Sequence, residues 1–191
     1  MGKMLKPRCN RRRRRGKGLL DQINARMSRS KIKVLLVVFT DWKDIVHLEF
    51  VARGQKVNKQ LYQEVLSRLR DAVRRKRPEL WENQTWLLHH HNAPAHASLL
   101  IRSYLAKHQK SVVPHPPYSP NLAPAEFFLF SKLKTTLKRC HFQTIEEIQE
   151  IAIRELGAIT ESAFQEAFQQ LKKRWERCIA SRGGHYEGDS A

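Results

Sequence analysis

This 191-residue chain has few cysteines and no long apolar segment. Its three cysteines, Cys9, Cys140 and Cys178, form no C-x-x-C pair, which argues against a disulfide framework or a zinc knuckle and favours reduced thiols in an intracellular protein. No run approaches the roughly 20 apolar residues of a membrane span. No apolar segment follows the basic N-terminus either, so we expect no signal peptide and no membrane partner.

Acidic residues are scarce relative to basic ones. The chain has 18 Asp and Glu against 36 Lys and Arg, which gives a net charge of +18. Such a charge attracts polyanions, because bound phosphates release their counterions, but it carries no sequence specificity. A basic fragment without any partner is the alternative. The hydrophobic content of 41% is ordinary for a globular domain.

The first 30 residues differ in composition from the rest. Nine lysines and arginines precede the first acidic residue, Asp21, and no apolar periodicity accompanies them. We therefore predict a disordered basic arm over residues 1–30. Its function would be nucleic-acid binding or nuclear localisation, with a random extension as the alternative. The predicted nucleic-acid-binding residues are Arg11, Arg12, Arg13, Arg14, Arg15 and Lys17.

The globular part is predicted to span residues 31–182, followed by a polar tail at 183–191. Apolar and β-branched runs predict strands at 32–41, 45–51, 86–90 and 111–113. Helical periodicity and capping residues predict helices at 58–76, 93–108, 124–138, 144–156 and 161–180. In the second of these helices, Leu99, Leu100 and Leu105 are expected to face inward. The mixture of strands and helices predicts an α/β domain.

Two motifs carry a resemblance to a known family. Residues 86–96 read WLLHHHNAPAH, and residues 115–130 read HPPYSPNLAPAEFFLF. They resemble the HDNAPAH and SPDLAP-x-D motifs of mariner transposases, which cut and paste their own DNA element. In that family the two aspartates hold a catalytic metal ion. Here His91 and Glu126 stand at those catalytic positions, and the family spacing of 34 intervening residues is kept.

The resemblance extends from about residue 28 to residue 189 and includes the family's terminal motif, here RWERCIAS at 174–181. It implies an RNase H-like α/β core with C-terminal helices, a Mg²⁺ or Mn²⁺ cofactor, DNA as the partner and a homodimer. It also implies a nuclear protein that acts in DNA integration.

Two family features are not found in these residues. The family's first catalytic aspartate lies in a TGDE motif on the first strand, about 90 residues before the second aspartate, and no TGDE precedes His91 here. The helix-turn-helix modules that read the transposon ends are not found either. We therefore expect an RNase H-like core that lacks its first strand. The hairpin at 32–51 would be separated from the strand at 86–90, and both would expose aggregation-prone edges.

The altered residues bear directly on catalysis. Two-metal phosphoryl transfer needs hard oxygen ligands, and Mg²⁺ prefers carboxylates and water. Glu126 can still act as a metal-binding carboxylate, but His91 offers one softer nitrogen that suits Zn²⁺ or Cu²⁺ better. We therefore predict a degenerate, nucleic-acid-binding transposase-derived protein with DNA cleavage lost.

Three alternatives remain open at this point. A weak metal-dependent nuclease could use Glu126 with Asp41 or Asp44, although alignment places Asp41 at the end of the second strand. The chain could also be a transposon relic without selected function. A zinc site could form from the histidine cluster, although no cysteine or acid joins it at finger-like spacing. The cluster consists of His89, His90, His91 and His96.

Overall fold

The computed structural model describes residues 34–138 and 142–181. The strands are β1 (Leu35–Thr40), β2 (Ile45–Val51), β3 (Leu88–His89) and β4 (Val112–Val113). The α-helices are α1 (Lys59–Lys76), α2 (Pro78–Glu82), α3 (Leu99–Lys107), α4 (Ser131–Leu137), α5 (Ile145–Gly157) and α6 (Glu161–Ala180). A 3₁₀ turn at Pro120–Leu122 and a π-helical segment at Ala125–Phe130 precede α4. The α/β content agrees with the sequence prediction.

Strands β1 and β2 form an antiparallel hairpin. Their pairing is regular from Leu35, which lies opposite Val51, to Phe39, and the register shifts between Phe39 and Thr40. Asp41 fixes the connecting turn, because its Oδ1 accepts hydrogen bonds from the amides of Lys43 at 2.8 Å and Asp44 at 3.0 Å. The prediction for 45–51 is confirmed. The strand predicted over 32–41 is shorter, and its residues up to 33 lie outside the described part of the chain.

Strands β3 and β4 form a second, parallel pair, with Leu88 opposite Val112. Within residues 34–138 and 142–181, no strand joins this pair to the hairpin, so this part of the chain contains two two-stranded sheets. Among the described residues, the hairpin and the strand at 86–90 lie in separate sheets, as expected. Both predicted strands are shorter than expected, since only two residues of each form the ladder.

The hairpin lies between two apolar cores. Phe39 and Val46 pack with α1, α3 and Leu88 in the first core. Leu36 and Val38 pack on the opposite face, against the second core around Leu129 and Phe164 from the C-terminal helices. This division follows from the two-residue alternation of side chains along a strand. The hairpin is therefore the middle layer between two helical layers.

Helix α1 begins as predicted. The side chain of Asn58 accepts a hydrogen bond from the amide of Leu61 at 2.8 Å, which caps the first turn. Pro78 follows the end of this helix and begins the short helix α2. Proline is tolerated there because the first turn of a helix leaves its amides without an intrahelical partner.

The helix predicted over 93–108 is wrong in its start and, at Leu99, in its inward face, whereas Leu105 is buried as predicted. Residues 94–97 form a turn, and α3 begins only at Leu99 after the N-cap Ser98. Leu99 is 78% exposed, whereas Ile101 and Leu105 are buried four residues apart on one face. The sequence Asn92-Ala93-Pro94 explains the delay, because a residue before proline is biased away from helical geometry.

The C-terminal helices follow the predicted order. The helix expected over 124–138 is π-helical from Ala125 to Phe130 before it continues as α4. Thr144 caps α5 by accepting a hydrogen bond from the amide of Glu147, whose carboxylate accepts from the amide of Gln143 rather than from that of Thr144. The helix predicted at 161–180 is confirmed at both ends.

Candidate active-site cleft

A cleft of about 550 Å³ lies between the two sheets. Residues 35–42, from β1 and its turn, line it together with residues 86–91, which contain β3. His91 and Glu126 both contribute to its lining. The structure thus brings the two family aspartate positions to one cleft, although 34 residues separate them in sequence. Their catalytic roles stay a prediction.

His91 stands two residues after the end of β3 and is exposed. Its imidazole packs edge-on against that of His96, with the ring centres 4.6 Å apart. Its backbone carbonyl accepts a hydrogen bond from Nδ1 of His96 at 3.2 Å. The loop after β3 therefore folds back on itself and holds His91 at the mouth of the cleft.

Glu126 is exposed at the second position of the π-helical segment. Helix α6 positions this segment through Arg174, which the sequence analysis did not assign to the site. The guanidinium of Arg174 donates a hydrogen bond to the carbonyl of Asn121 at 3.1 Å and lies 4.0 Å from the ring centre of Phe127. Arg174 of the RWERCIAS motif thus contacts one residue before Glu126 and one residue after it.

The donors at this site fit a Mg²⁺ or Mn²⁺ centre poorly. Glu126 supplies one carboxylate, and His91 supplies an imidazole nitrogen in place of a second carboxylate. Mg²⁺ binds oxygen ligands in near-octahedral geometry and depends on anionic charge. Within the described part of the chain, no three His, Cys, Asp or Glu side chains are grouped as metal ligands.

Asp41 and Asp44, the other candidate carboxylates, are engaged by one arginine. Arg77 donates from Nε to Asp41 Oδ2 at 2.6 Å and from Nη2 to Asp44 Oδ1 at 2.7 Å. Burial alone would raise the pKa of Asp41. The bonds from Arg77 and from two backbone amides outweigh it and lower this pKa below its ordinary value. Using Asp41 as a metal ligand would require breaking this pair.

We expect the Arg77→Ala substitution to destabilise the protein by about 2–3 kcal/mol, because it leaves the mostly buried carboxylate of Asp41 without its cation. Urea denaturation monitored by circular dichroism would measure the loss. Arg74→Ala is the matched control, since the exposed Arg74–Asp71 pair should contribute less than about 0.5 kcal/mol. Equal effects of the two substitutions would show that the Arg77 pair has no special structural role.

A histidine cluster forms the wall of the cleft beside β3. Nε2 of His89 lies 3.1 Å from Nδ1 of His115, and Nδ1 of His90 lies 2.7 Å from the hydroxyl of Tyr62. The ring of His96 stacks on that of Tyr62 at 3.7 Å. The cluster thus joins the loop after β3 to α1 and to the segment after β4.

Burial dominates the electrostatics of this cluster. It lowers the pKa values of His90 and His96 to about 4, and repulsion from neighbouring imidazoles adds to the effect. Burial also lowers the pKa values of His89 and His115. The four imidazoles are therefore neutral at pH 7, which is the protonation state in which they can share hydrogen bonds and stack.

His115 and Tyr62 also belong to this cluster, although neither was predicted from the sequence. A signal for His115 was present, because parallel strands bring their carboxyl ends to the same edge of a sheet. His89 ends β3 and His115 follows β4 by two residues, so the pairing of these strands places them together. Tyr62 carried no such signal, since its position on the buried face of α1 is typical of a core residue.

We expect the protein to lose stability as the pH falls from about 6.5 to about 4. In this range the unfolded chain binds protons at His90 and His96, whereas the folded protein resists them, so protonation favours unfolding. The loss should be about 2–4 kcal/mol after allowance for the partial exposure of both rings. Thermal melts across this range would measure it, and His96→Phe should flatten the profile. A melting temperature independent of pH would contradict the assignment.

The predicted arm residues Arg11 to Arg15 and Lys17 lie outside the described residues. The described part carries exposed cations of its own, among them groups on three helices. These are Arg74, Arg75 and Lys76 on α1, Lys132 and Lys134 on α4, and Lys172 and Lys173 on α6. Within residues 34–138 and 142–181, no helix combines the length and apolarity needed to cross a bilayer.

Comparison with known proteins reveals clear similarities. Residues 10–83 match the family model described as transposase (partial DDE domain). The chain is 33% identical to the mariner Mos1 transposase of Drosophila mauritiana over 164 residues, which make up 85% of this chain and 48% of that protein. It is 23% identical over 155 residues to the human histone-lysine N-methyltransferase SETMAR, of which it covers 23%. The chain thus spans about half of one relative and a quarter of the other.

Solved structures agree with the sequence matches. The Mos1 transposase catalytic domain, solved with raltegravir and Mg, is 32% identical to this chain and superposes with a TM-score of 0.76. The alignment covers 81% of this chain and 77% of that domain. A pre-cleavage Mos1 transpososome gives a TM-score of 0.81 over 91% of this chain and 53% of its own. These similarities confirm the predicted RNase H-like α/β fold with C-terminal helices.

Proposed function

Because this chain belongs to the mariner family of transposases, we propose that it binds DNA through its positive charge, without sequence preference, and neither cleaves DNA nor transfers strands. Mos1 structures have been solved with Mg, with Mn and with a transposon end. Divalent metal and DNA are therefore the two ligands to consider for this chain. We propose that it binds DNA and that it does not hold the catalytic metal.

The observation that carries the proposal is His91 in the cleft that also contains Glu126. An imidazole there replaces a carboxylate, which removes one negative charge and one pair of oxygen donors from the site. Phosphoryl transfer relies on metal ions to activate the nucleophile and to stabilise the leaving oxygen. Without ligands that hold them, both effects are lost, whereas DNA binding needs only cations.

The distribution of charge supports DNA binding. Residues 1–33 contain 13 of the 36 lysines and arginines and one acidic residue, Asp21, so they carry 12 of the 18 net positive charges. The exposed cations of α1, α4 and α6 extend the basic surface onto the folded core. Contacts of this kind are made with phosphates rather than base edges, so they do not discriminate between sequences.

Nuclear localisation and pairing of two copies are parts of the same proposal. The basic run at residues 11–17 is of the kind that directs proteins to the nucleus, where the DNA is found. Mos1 forms a paired-end complex, which is the precedent for a homodimer of this chain.

A metal-dependent nuclease is the second candidate function. In its favour, Asp41 lines the same cleft as Glu126. Against it, both Oδ atoms of Asp41 accept hydrogen bonds from Arg77, and Oδ1 also accepts from two backbone amides. A metal ion would have to displace a cation held at 2.6 Å, so Asp41 is not a free carboxylate partner for Glu126.

A plasmid-nicking assay tests the proposal. Supercoiled plasmid is incubated with the purified chain in Mg²⁺ or Mn²⁺, and open circles are quantified. We expect nicking no faster than in a buffer blank, for the wild type and for Glu126→Gln alike. Nicking by the wild type that Glu126→Gln abolishes would establish the nuclease instead. Nicking that survives Glu126→Gln would indicate a contaminating nuclease, and the assay would be repeated on protein purified further.

A further inference from the structure

Two histidines at the end of the parallel strand pair lie close to each other. His89 is the last residue of β3, and His115 lies two residues after β4. Nε2 of His89 and Nδ1 of His115 are 3.1 Å apart. The ring centres are 5.2 Å apart, and the ring planes are tilted by 47°. The ends of two neighbouring strands thus hold two imidazole nitrogens side by side.

These distances match those between two imidazoles that bind one metal ion. With Zn–N distances of about 2.0–2.1 Å, two ligand nitrogens lie about 2.9 Å apart at a right angle and about 3.3 Å apart in a tetrahedron. In the tetrahedral case the ring centres are about 5.3 Å apart. Binding an ion therefore changes either observed distance by only about 0.2 Å. From this geometry we propose that Nε2 of His89 and Nδ1 of His115 bind one Zn²⁺ ion, with water in its remaining positions.

The other histidines beside β3 are engaged elsewhere. Nδ1 of His90 lies 2.7 Å from the hydroxyl of Tyr62, and Nδ1 of His96 lies 3.2 Å from the carbonyl oxygen of His91. Among residues 34–138 and 142–181, the rings of His89 and His115 hydrogen-bond only to each other. Imidazole suits Zn²⁺ and Cu²⁺ better than Mg²⁺. The pair would therefore select a different class of ion from the one that the carboxylates of the family hold.

The backbone on both sides of the pair is fixed before an ion binds. His89 lies opposite Val113 in the ladder between β3 and β4. The side-chain amide of Asn92 donates a hydrogen bond to the carbonyl of His115 at 2.6 Å, which ties the loop after β3 to the segment after β4. Ligands that are already held in place lose little conformational freedom on binding. The site is therefore largely formed in the absence of metal.

Binding of the ion requires one hydrogen to move. Burial, with repulsion between imidazoles, lowers the pKa values of His89 and His115, so both rings are neutral at pH 7. In such a pair one facing nitrogen carries a hydrogen and the other accepts it. Zn²⁺ needs the lone pairs of both nitrogens. The donating ring must therefore transfer its hydrogen to its other nitrogen, which changes its tautomer without releasing a proton from the pair.

The test titrates the full chain, without a purification tag and stripped of metal by a chelator, with Zn²⁺ alone in competition with a fluorescent zinc indicator. We expect one tightly bound ion per chain and a higher melting temperature. His89→Gln and His115→Gln should each weaken binding at least about tenfold, because one imidazole loses the advantage of a second ligand in the same site. His108→Gln is the matched control, since that ring contacts Arg70 rather than another imidazole nitrogen, and it should keep the wild-type affinity.

Nuclear magnetic resonance of the wild-type chain, labelled with ¹⁵N-histidine, tests the same site without a substitution. Zn²⁺ should shift the resonances of His89 Nε2 and His115 Nδ1 first and change the tautomer of one of these rings. Shifts confined to other histidines would overturn the proposal, as would unchanged affinity in both variants or an equal loss in His108→Gln. A double variant clearly weaker than both single variants would show that the two histidines bind different ions, which would also overturn it. None of these outcomes depends on DNA binding or cleavage.

Discussion

Raising the salt concentration from 50 to 200 mM should weaken binding of this chain to duplex DNA by about 10³-fold or more. This steepness is expected when about six or more phosphates are neutralised, since each contributes about −0.9 to the slope of log K against log salt. The chain has an excess of 18 cations from which to make these contacts. Fluorescence anisotropy with a labelled duplex, repeated at several salt concentrations, measures the slope.

Deletion of residues 1–17 should make that slope shallower. The segment contains nine lysines and arginines and no acid. If half of them contact phosphates, the slope should change by about 4. Substitution of Arg11 to Arg15 and Lys17 by glutamine is the matched control, because it removes charge without shortening the chain and should reproduce most of the effect. Nanomolar preference for one duplex over random DNA at physiological salt would contradict the account of binding by charge.

The substitution His91→Asp should strengthen Mn²⁺ binding by about tenfold or more without restoring DNA cleavage. It returns a carboxylate to the cleft that Glu126 also lines, and carboxylate oxygens are the preferred ligands of such ions. Two carboxylates are still fewer than the three of the family pattern, and Asp41 stays bound to Arg77. Electron paramagnetic resonance of free Mn²⁺ measures the affinity, and a nicking assay measures the activity.

His91→Asn is the control for this substitution, because asparagine has nearly the shape of aspartate but no charge. It should leave Mn²⁺ affinity close to that of the wild type. If His91→Asp alone restored nicking that Glu126→Gln then removed, the remaining residues would suffice for catalysis, and His91 would be the sole defect of the site.

The sequence predicted those elements that local signals specify. The Asn58 cap, the hairpin strand 45–51 and the helix at 161–180 were all recovered, because capping and periodicity act within a few residues. The start of α3 was missed because the turn at 94–97 overrides a continuous apolar pattern. The π-helical geometry of Ala125–Phe130 has no distinct sequence pattern that separates it from an α-helix.

The candidate site was predicted less completely than the fold. His91 and Glu126 could be located because their motifs keep the family spacing. Arg77 and Arg174 could not, because their roles depend on contacts between elements distant in sequence. Arg77 donates a hydrogen bond to Asp41, which lies 36 residues earlier in the chain. Arg174 donates one to Asn121, which lies 53 residues earlier. No local pattern encodes such pairs.

One measurement tests the central claim, which is that this chain binds DNA but does not cut it. An end-labelled duplex is incubated with saturating protein in low salt with Mn²⁺, and each sample is divided between a native and a denaturing gel. The account predicts that the DNA is fully shifted on the native gel and full-length on the denaturing gel. Shifted DNA that is also cleaved by the wild type, and left intact by Glu126→Gln, would contradict it.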